Sequence, residues 1–157
     1  MPDAAESTAV TREITIAAAP EVVWTYLVDP GKAARWMGLA AELDPTPGGL
    51  YRVQVLPGHT ARGRFVELDP PRRLVYTWGW EPDGDDAASA VPPGSTTIEI
   101  ELEAAGPATR VRLSHRDLPT PAAARSHADG WDHYLPRLVT AAEGADPGRD
   151  PWIDTNA

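Results

Sequence analysis

The sequence predicts an α+β domain: an antiparallel sheet of about six to seven strands, one face covered by a long C-terminal helix, with two short helices after the first strand. Three observations carry this. Segments from residue 50 onward alternate apolar and polar residues and are separated by Gly, Pro and Asp turns. The pair 96–103 and 109–116 sets Ile98, Ile100, Leu102, Val111, Leu113 and His115 on one face, and Glu99, Glu101, Glu103, Arg110 and Arg112 on the other. Opposite charges across an antiparallel pair mark that second face as solvated, so the apolar one needs a cover. One long stripe can supply it: Ala124, Ala128, Trp131, Leu135, Leu138 and Ala142 recur at spacings of 4, 3, 4, 3 and 4.

Taken in order, residues 1–9 are small and polar and read as a loose tail. Val10 to Ala17 alternates, with Val10, Ile14 and Ile16 against Thr11, Glu13 and Thr15, and predicts the first strand. Ala19-Pro20-Glu21 opens a helix, since proline fits the first helical position and Glu21 suits the positive end of the dipole. Val23, Trp24 and Leu27 form its apolar side, and Asp29-Pro30 starts a shorter helix ending near Trp36.

Strands follow over Met37 to Leu43, weakly signalled, then Leu50 to Leu56, with Tyr51, Val53 and Val55 on one face. Arg62 to Leu68 and Leu74 to Trp80 come next, the latter with Leu74, Tyr76, Trp78 and Trp80 on one face. Glu67 competes with Val66 and Leu68 for the inner side of its strand, and alternation does not decide between them. Residues 81–95, acidic and rich in Gly, Pro and Ala, predict a long loop. Thr120-Pro121 caps and starts the last helix, and Gly144 ends it. A single domain over 10–143 with a polar tail over 144–157, anchored by Trp152, is the expected organisation.

That last helix carries two breakers. Gly130 costs about 1 kcal/mol relative to alanine and interior Pro136 about 3 kcal/mol or more. Docking against the sheet has to hold such a helix together. Pro136 cannot bond the carbonyl of Asp132, which predicts a bend, and Gly130 predicts close approach of another segment beside Trp131.

Composition narrows the function classes. Without cysteine there is no disulfide, no thiolate nucleophile and no Cys-ligated metal. A cytoplasmic chain is expected, with no apolar run of membrane-spanning length and no basic signal-peptide head. The net charge of -9 disfavours nucleic acid and anionic membranes. No phosphate-binding glycine loop, no G-x-S-x-G and no metal-ligand spacing is present, so neither cofactor nor metal is expected.

The motifs "AAAPEVVW" (17–24), "RWMG" (35–38), "PGGLYRV" (47–53), "GRFVELDPPRRLVYTWGW" (63–80), "VPPGSTTIEIELE" (91–103), "TRVRLSH" (109–115) and "DGWDHYLPRL" (129–138) occur in order. Together they resemble the START-like superfamily of ligand-binding and polyketide-cyclase-like proteins (SRPBCC), in the branch named after the activator of the heat-shock chaperone ATPase. The resemblance implies a helix-grip fold: a curved sheet wrapped around the C-terminal helix, enclosing a hydrophobic cavity. It implies three kinds of activity: binding of a small hydrophobic or aromatic molecule as carrier or sensor, a cyclase- or hydrolase-like reaction, or regulation of a chaperone ATPase.

The residues favour the first. Trp36, Tyr76, Trp78, Trp80, Trp131 and Tyr134 converge on one sheet face and its covering helix in a chain with a single phenylalanine. Each carries a polar atom that needs a partner when buried, which suits a pocket with polar handles better than a purely structural core. His115 faces inward, and His127, four residues before Trp131, faces the same region; these eight residues are the candidate ligand-binding set. His115 is also the candidate general base of the enzymatic alternative, with a Glu or Tyr as its partner. Ser114 points to the opposite side from His115. His133 is expected on the solvated side of the helix. An empty cavity of a few hundred cubic ångströms would cost on the order of 5–10 kcal/mol, so a guest is expected. Both monomer and homodimer are compatible with these features.

Overall fold

The computed structural model describes residues 8–82 and 91–155. Seven strands form one sheet: β1 (Val10–Ile16), β2 (Ala40–Leu43), β3 (Leu50–Leu56), β4 (His59–Asp69), β5 (Arg73–Trp78), β6 (Thr96–Ala105) and β7 (Ala108–Arg116). Their order across the sheet is β1-β7-β6-β5-β4-β3-β2, and every neighbouring pair is antiparallel. Two helices, α1 (Pro20–Val28) and α2 (Pro30–Trp36), follow β1; α3 (Pro121–Ala142) is the long C-terminal helix, and a single turn, α4 (Trp152–Thr155), comes after it. This is the α+β helix-grip architecture the sequence predicts.

The local chemistry accounts for the ends. Pro20 and Pro30 stand at the first turns of α1 and α2, and the Asp29 side chain accepts from the Lys32 N–H at 3.0 Å. Thr120 caps α3 by accepting from the Ala123 N–H at 3.0 Å, an arrangement worth about 1 kcal/mol. The helix runs on through Gly130 and Pro136, and Pro136 sits on its exposed side. A Cβ built on Gly130 meets nothing within 4 Å. Among the described residues the expected close approach of another segment is therefore absent.

The two faces of the sheet separate as the alternation predicts. Ile98, Ile100, Leu102, Val111, Leu113 and His115 are buried on the inner face, together with Leu74, Tyr76 and Trp78, with α1 packed against β6 and β7 and α3 against β1. On the outer face Arg110 bonds Glu103 at 2.9 Å, Arg112 bonds Glu13 at 3.0 Å and Arg116 bonds Glu99 at 2.9 Å. Arg73 lies between Glu99 and Glu67, and that contact places Glu67 outside. The cause is a β-bulge between Phe65 and Glu67, where Val66 is the extra residue. It lets Phe65 point inward while Glu67, two residues on, points out.

β5 ends at Trp78, short of the expected Trp80. Here the chain that follows the 83–90 segment crosses: the Trp80 N–H donates to the Val91 carbonyl at 2.8 Å. A Cβ on Gly79 would lie 1.7 Å from the Pro92 carbonyl oxygen, so only glycine admits this crossing. β2 is also shorter than expected, starting at Ala40 rather than Met37. Gly38 takes a positive φ of 95°, which breaks the extended run. Most of the acidic loop expected over 81–95 lies outside the described residues, as do residues 1–7.

Among the described residues no helix is long and apolar enough to cross a membrane.

Candidate functional site

The inner ends of β5, β6 and β7 and the N-terminal half of α3 bring together six of the eight sequence-predicted residues. Trp78 is the hub. Its ring centroid lies 5.2 Å from Trp80, 6.1 Å from His115, 6.1 Å from Trp131 and 6.0 Å from Tyr51. Tyr51 in turn stacks on Tyr76 at 4.2 Å, and the His115 and His127 rings meet edge to face at 5.0 Å. These are contact distances, so the rings close on one another in this conformation.

The polar atoms of the cluster form a defined chain. Thr96 Oγ1 donates to the Trp78 carbonyl at 2.7 Å, which spends its hydrogen. The 2.8 Å contact between Thr96 Oγ1 and His115 Nε2 then requires His115 to donate, and its Nδ1 accepts from Trp131 Nε1 at 3.1 Å. His115 is fixed as the neutral Nε2–H tautomer with both nitrogens engaged. Burial, with the neighbouring His127 adding to it, pushes its pKa down to about 3.

His127 is fixed in the other tautomer. Its Nε2 accepts from Trp80 Nε1 at 3.1 Å, so Nδ1–H donates to the Ala123 carbonyl at 2.8 Å, one helical turn back. Burial lowers its pKa too, against the opposing pull of that carbonyl. Tyr51 and Tyr76 hydrogen-bond one another, and burial pushes both phenols well above their ordinary range.

One polar atom is left over. Trp78 Nε1 is buried with no hydrogen-bond partner among the described residues. An unpaired buried donor costs about 1–3 kcal/mol and is rare in native proteins.

Trp36 and Tyr134 stand apart from this cluster. Trp36 Nε1 donates to the Tyr26 carbonyl at 2.8 Å and fastens α2 to α1. Tyr134 donates to Asp150 Oδ2 at 2.7 Å, and Asp150 also accepts from His133 Nε2 at 2.7 Å and from the Trp152 N–H at 2.9 Å. Burial works to raise the Asp150 pKa, yet the hydrogen bonds from Tyr134, Trp152 and His133 hold it below its ordinary value. His133 is thus not on a solvated side: its ring stacks on Trp152 at 3.8 Å. The expectation failed because the C-terminal segment folds back over that side of the helix. Arg137 completes the attachment, donating to the carbonyls of Trp36, Pro147 and Gly148.

Three residues of the site were missed as such. Thr96 shares the phase of Ile98 and Ile100, so a hydroxyl on the inner face was readable from alternation. Alternation puts Tyr51 on one face with Val53 and Val55 but does not pair it with Tyr76, because neighbours two strands apart leave no mark in one sequence. Asp150, 5% exposed and outside the cluster, beside Tyr134, carries no signal beyond its closeness to Trp152. Among the described residues no three His, Cys, Asp or Glu side chains are grouped to hold a metal ion.

A curved sheet gripping a long helix over an aromatic interior defines the START-like class. The family model described as activator of Hsp90 ATPase homolog 1-like protein matches residues 17–143, and the chain belongs to that family. Among solved structures, the AHSA1-like protein from Rhizobium etli is 46% identical, covering 92% of this chain and 87% of its own, with a TM-score of 0.70. CalU16 from Micromonospora echinospora is 25% identical over 95% of this chain and 72% of its own, with a TM-score of 0.72. An Hsp90 activator from Plasmodium falciparum is 19% identical over 83% of this chain and 92% of its own, with a TM-score of 0.67; that likeness shows the fold alone. No match was found among curated proteins.

Proposed function

We propose that the chain binds a small hydrophobic or aromatic molecule between the sheet and α3, at the ring cluster of Tyr51, Tyr76, Trp78, Trp80 and Trp131. The observation that carries this reading is the cluster itself: three indoles and two phenols gather in one part of an inner face that is otherwise lined by aliphatic side chains such as Ile98, Ile100 and Leu113. Stacking and edge-to-face surfaces of this kind suit flat apolar guests. The rings touch in the present conformation, so binding requires them to move apart.

The paired imidazoles support binding over turnover. His115 offers neither a free lone pair nor a readily gained proton, and both are needed in a general acid or base near neutral pH. Its role in this reading is to hold Trp131 and Thr96 in place.

The test is titration with N-phenyl-1-naphthylamine, a neutral apolar fluorophore. Saturable enhancement of its emission, quenching of tryptophan emission and a rise in Tm by mass action are expected. Trp131→Ala should weaken the affinity at least about tenfold, the effect of losing one large aromatic contact. Failure of this probe and of a panel of aromatic and lipid-like compounds to move either signal would remove the reading.

A further inference from the structure

We infer that the ligand presents a neutral hydrogen-bond acceptor, a carbonyl or ether oxygen on an aromatic or alicyclic frame, to Nε1 of Trp78. This rests on the ligand-binding reading above and adds the chemistry of the guest. Three other indoles already have partners: Trp36 donates to Tyr26, Trp80 to His127 and Trp131 to His115. Trp78, at the centre of the cluster and 3% exposed, has none among the described residues. An indole nitrogen only donates, so the missing atom is an acceptor.

Water is a poor candidate for it. A buried water makes two to four hydrogen bonds. Around Trp78 the polar atoms of Trp80, His115 and Trp131 are already engaged, so among the described residues only the Tyr51–Tyr76 hydroxyl pair, beyond Trp78 itself, is left to bond a water, the minimum such a water needs. An anionic acceptor fits no better. Both imidazoles are neutral, and Arg73, Arg110, Arg112 and Arg116 are ion-paired on the outer face, so a carboxylate here would be buried without a counter-charge. A polarised but uncharged oxygen meets the unpartnered donor of Trp78 and needs no counter-charge.

Matched compounds test this. Diphenylmethane, benzophenone and diphenylacetate share a frame and differ in the central group: no acceptor, a carbonyl, and an added carboxylate. Each is titrated against bound N-phenyl-1-naphthylamine, on the wild type and on Trp78→Phe. Benzophenone should compete about tenfold better than diphenylmethane on the wild type, the effect of one hydrogen bond to an otherwise unpaired donor. Diphenylacetate should be the weakest of the three. In Trp78→Phe the two neutral compounds should become equal to within about twofold. On the wild type, the indole N–H resonance of Trp78 should move downfield with benzophenone and not with diphenylmethane, a readout that holds even if the variant does not fold.

Equal competition by the two neutral compounds, a carbonyl preference that survives Trp78→Phe, or an unshifted Trp78 resonance at saturating benzophenone would each overturn the inference while leaving ligand binding intact. If the fluorophore and all three compounds fail to bind, both readings fall together.

Discussion

Trp131 on α3 donates its indole hydrogen to Nδ1 of His115 on β7 at 3.1 Å, and through that ring is linked to Thr96 and the backbone of Trp78. One neutral imidazole thus joins the covering helix to two strands. Trp131→Phe should destabilise the fold by about 1–3 kcal/mol, since the buried acceptor on His115 loses its donor. Thr96→Val should cost a similar amount. The double variant should cost less than the sum, because both changes act through the same ring. Urea unfolding midpoints at constant slope measure all three; strict additivity would argue against a connected chain.

Acid should weaken the fold well before the carboxylates titrate. In the unfolded chain each imidazole has its ordinary value of 6.5, whereas folded His115 stands at about 3 and His127 is also lowered. Below pH 6.5 the unfolded state therefore binds more protons than the native one. The stabilisation is complete above that pH and is lost as pH falls through 6 and 5 toward 3. The limiting slope is about 1.4 kcal/mol per pH unit for each proton. His115→Asn and His127→Asn should each flatten the curve between pH 6.5 and 4.5, as read from urea unfolding at several pH values. A wild-type curve that is level across this window would contradict the assignment of buried neutral rings.

Gly130→Ala should stabilise. The position is helical, a Cβ there meets nothing within 4 Å, and alanine is favoured over glycine by about 1 kcal/mol in helix interiors. A gain of about 0.5–1 kcal/mol in thermal or urea unfolding is expected.

Gly79→Ala should do the reverse. The new methyl would fall 1.7 Å from the Pro92 carbonyl oxygen, which is backbone and cannot swing aside. A loss above about 3 kcal/mol is expected, with the pairing of Trp80 to Val91 released first in hydrogen exchange.

Asp150→Ala should free the C-terminal segment. Tyr134, His133 and the Trp152 N–H lose a shared acceptor, a loss of about 2–3 kcal/mol for hydrogen bonds to a charged group. Amide hydrogen exchange at Trp152 and Ile153 should then be faster than in the wild type.

The fold was legible because its determinants are periodic. Ile98, Ile100 and Leu102 against Glu99, Glu101 and Glu103 specify which side of the sheet is covered, and the stripe through Trp131 and Leu138 specifies what covers it. Glu67 was not legible, because a bulge shifts the phase by one residue and alternation cannot register an insertion. His115 and His127 could be placed on the inner side, but their tautomers depend on Thr96 and Ala123, contacts that no spacing reveals. His133 was misplaced for a related reason. Helical phase says which way a side chain points, not whether a later stretch of chain returns to meet it.

Arg137 gives the molecule a built-in direction of yielding. Its guanidinium holds carbonyls from Trp36, far upstream, and from Pro147 and Gly148, shortly downstream, and it keeps its charge at any pH the protein meets. The junctions nearer the opposite end of α3 run through the neutral rings of His115 and His127, whose accepting nitrogens stop accepting once protonated. Acid strong enough to protonate those rings therefore loosens the amino-terminal half of the helix, while the Arg137 contacts at its other end do not titrate.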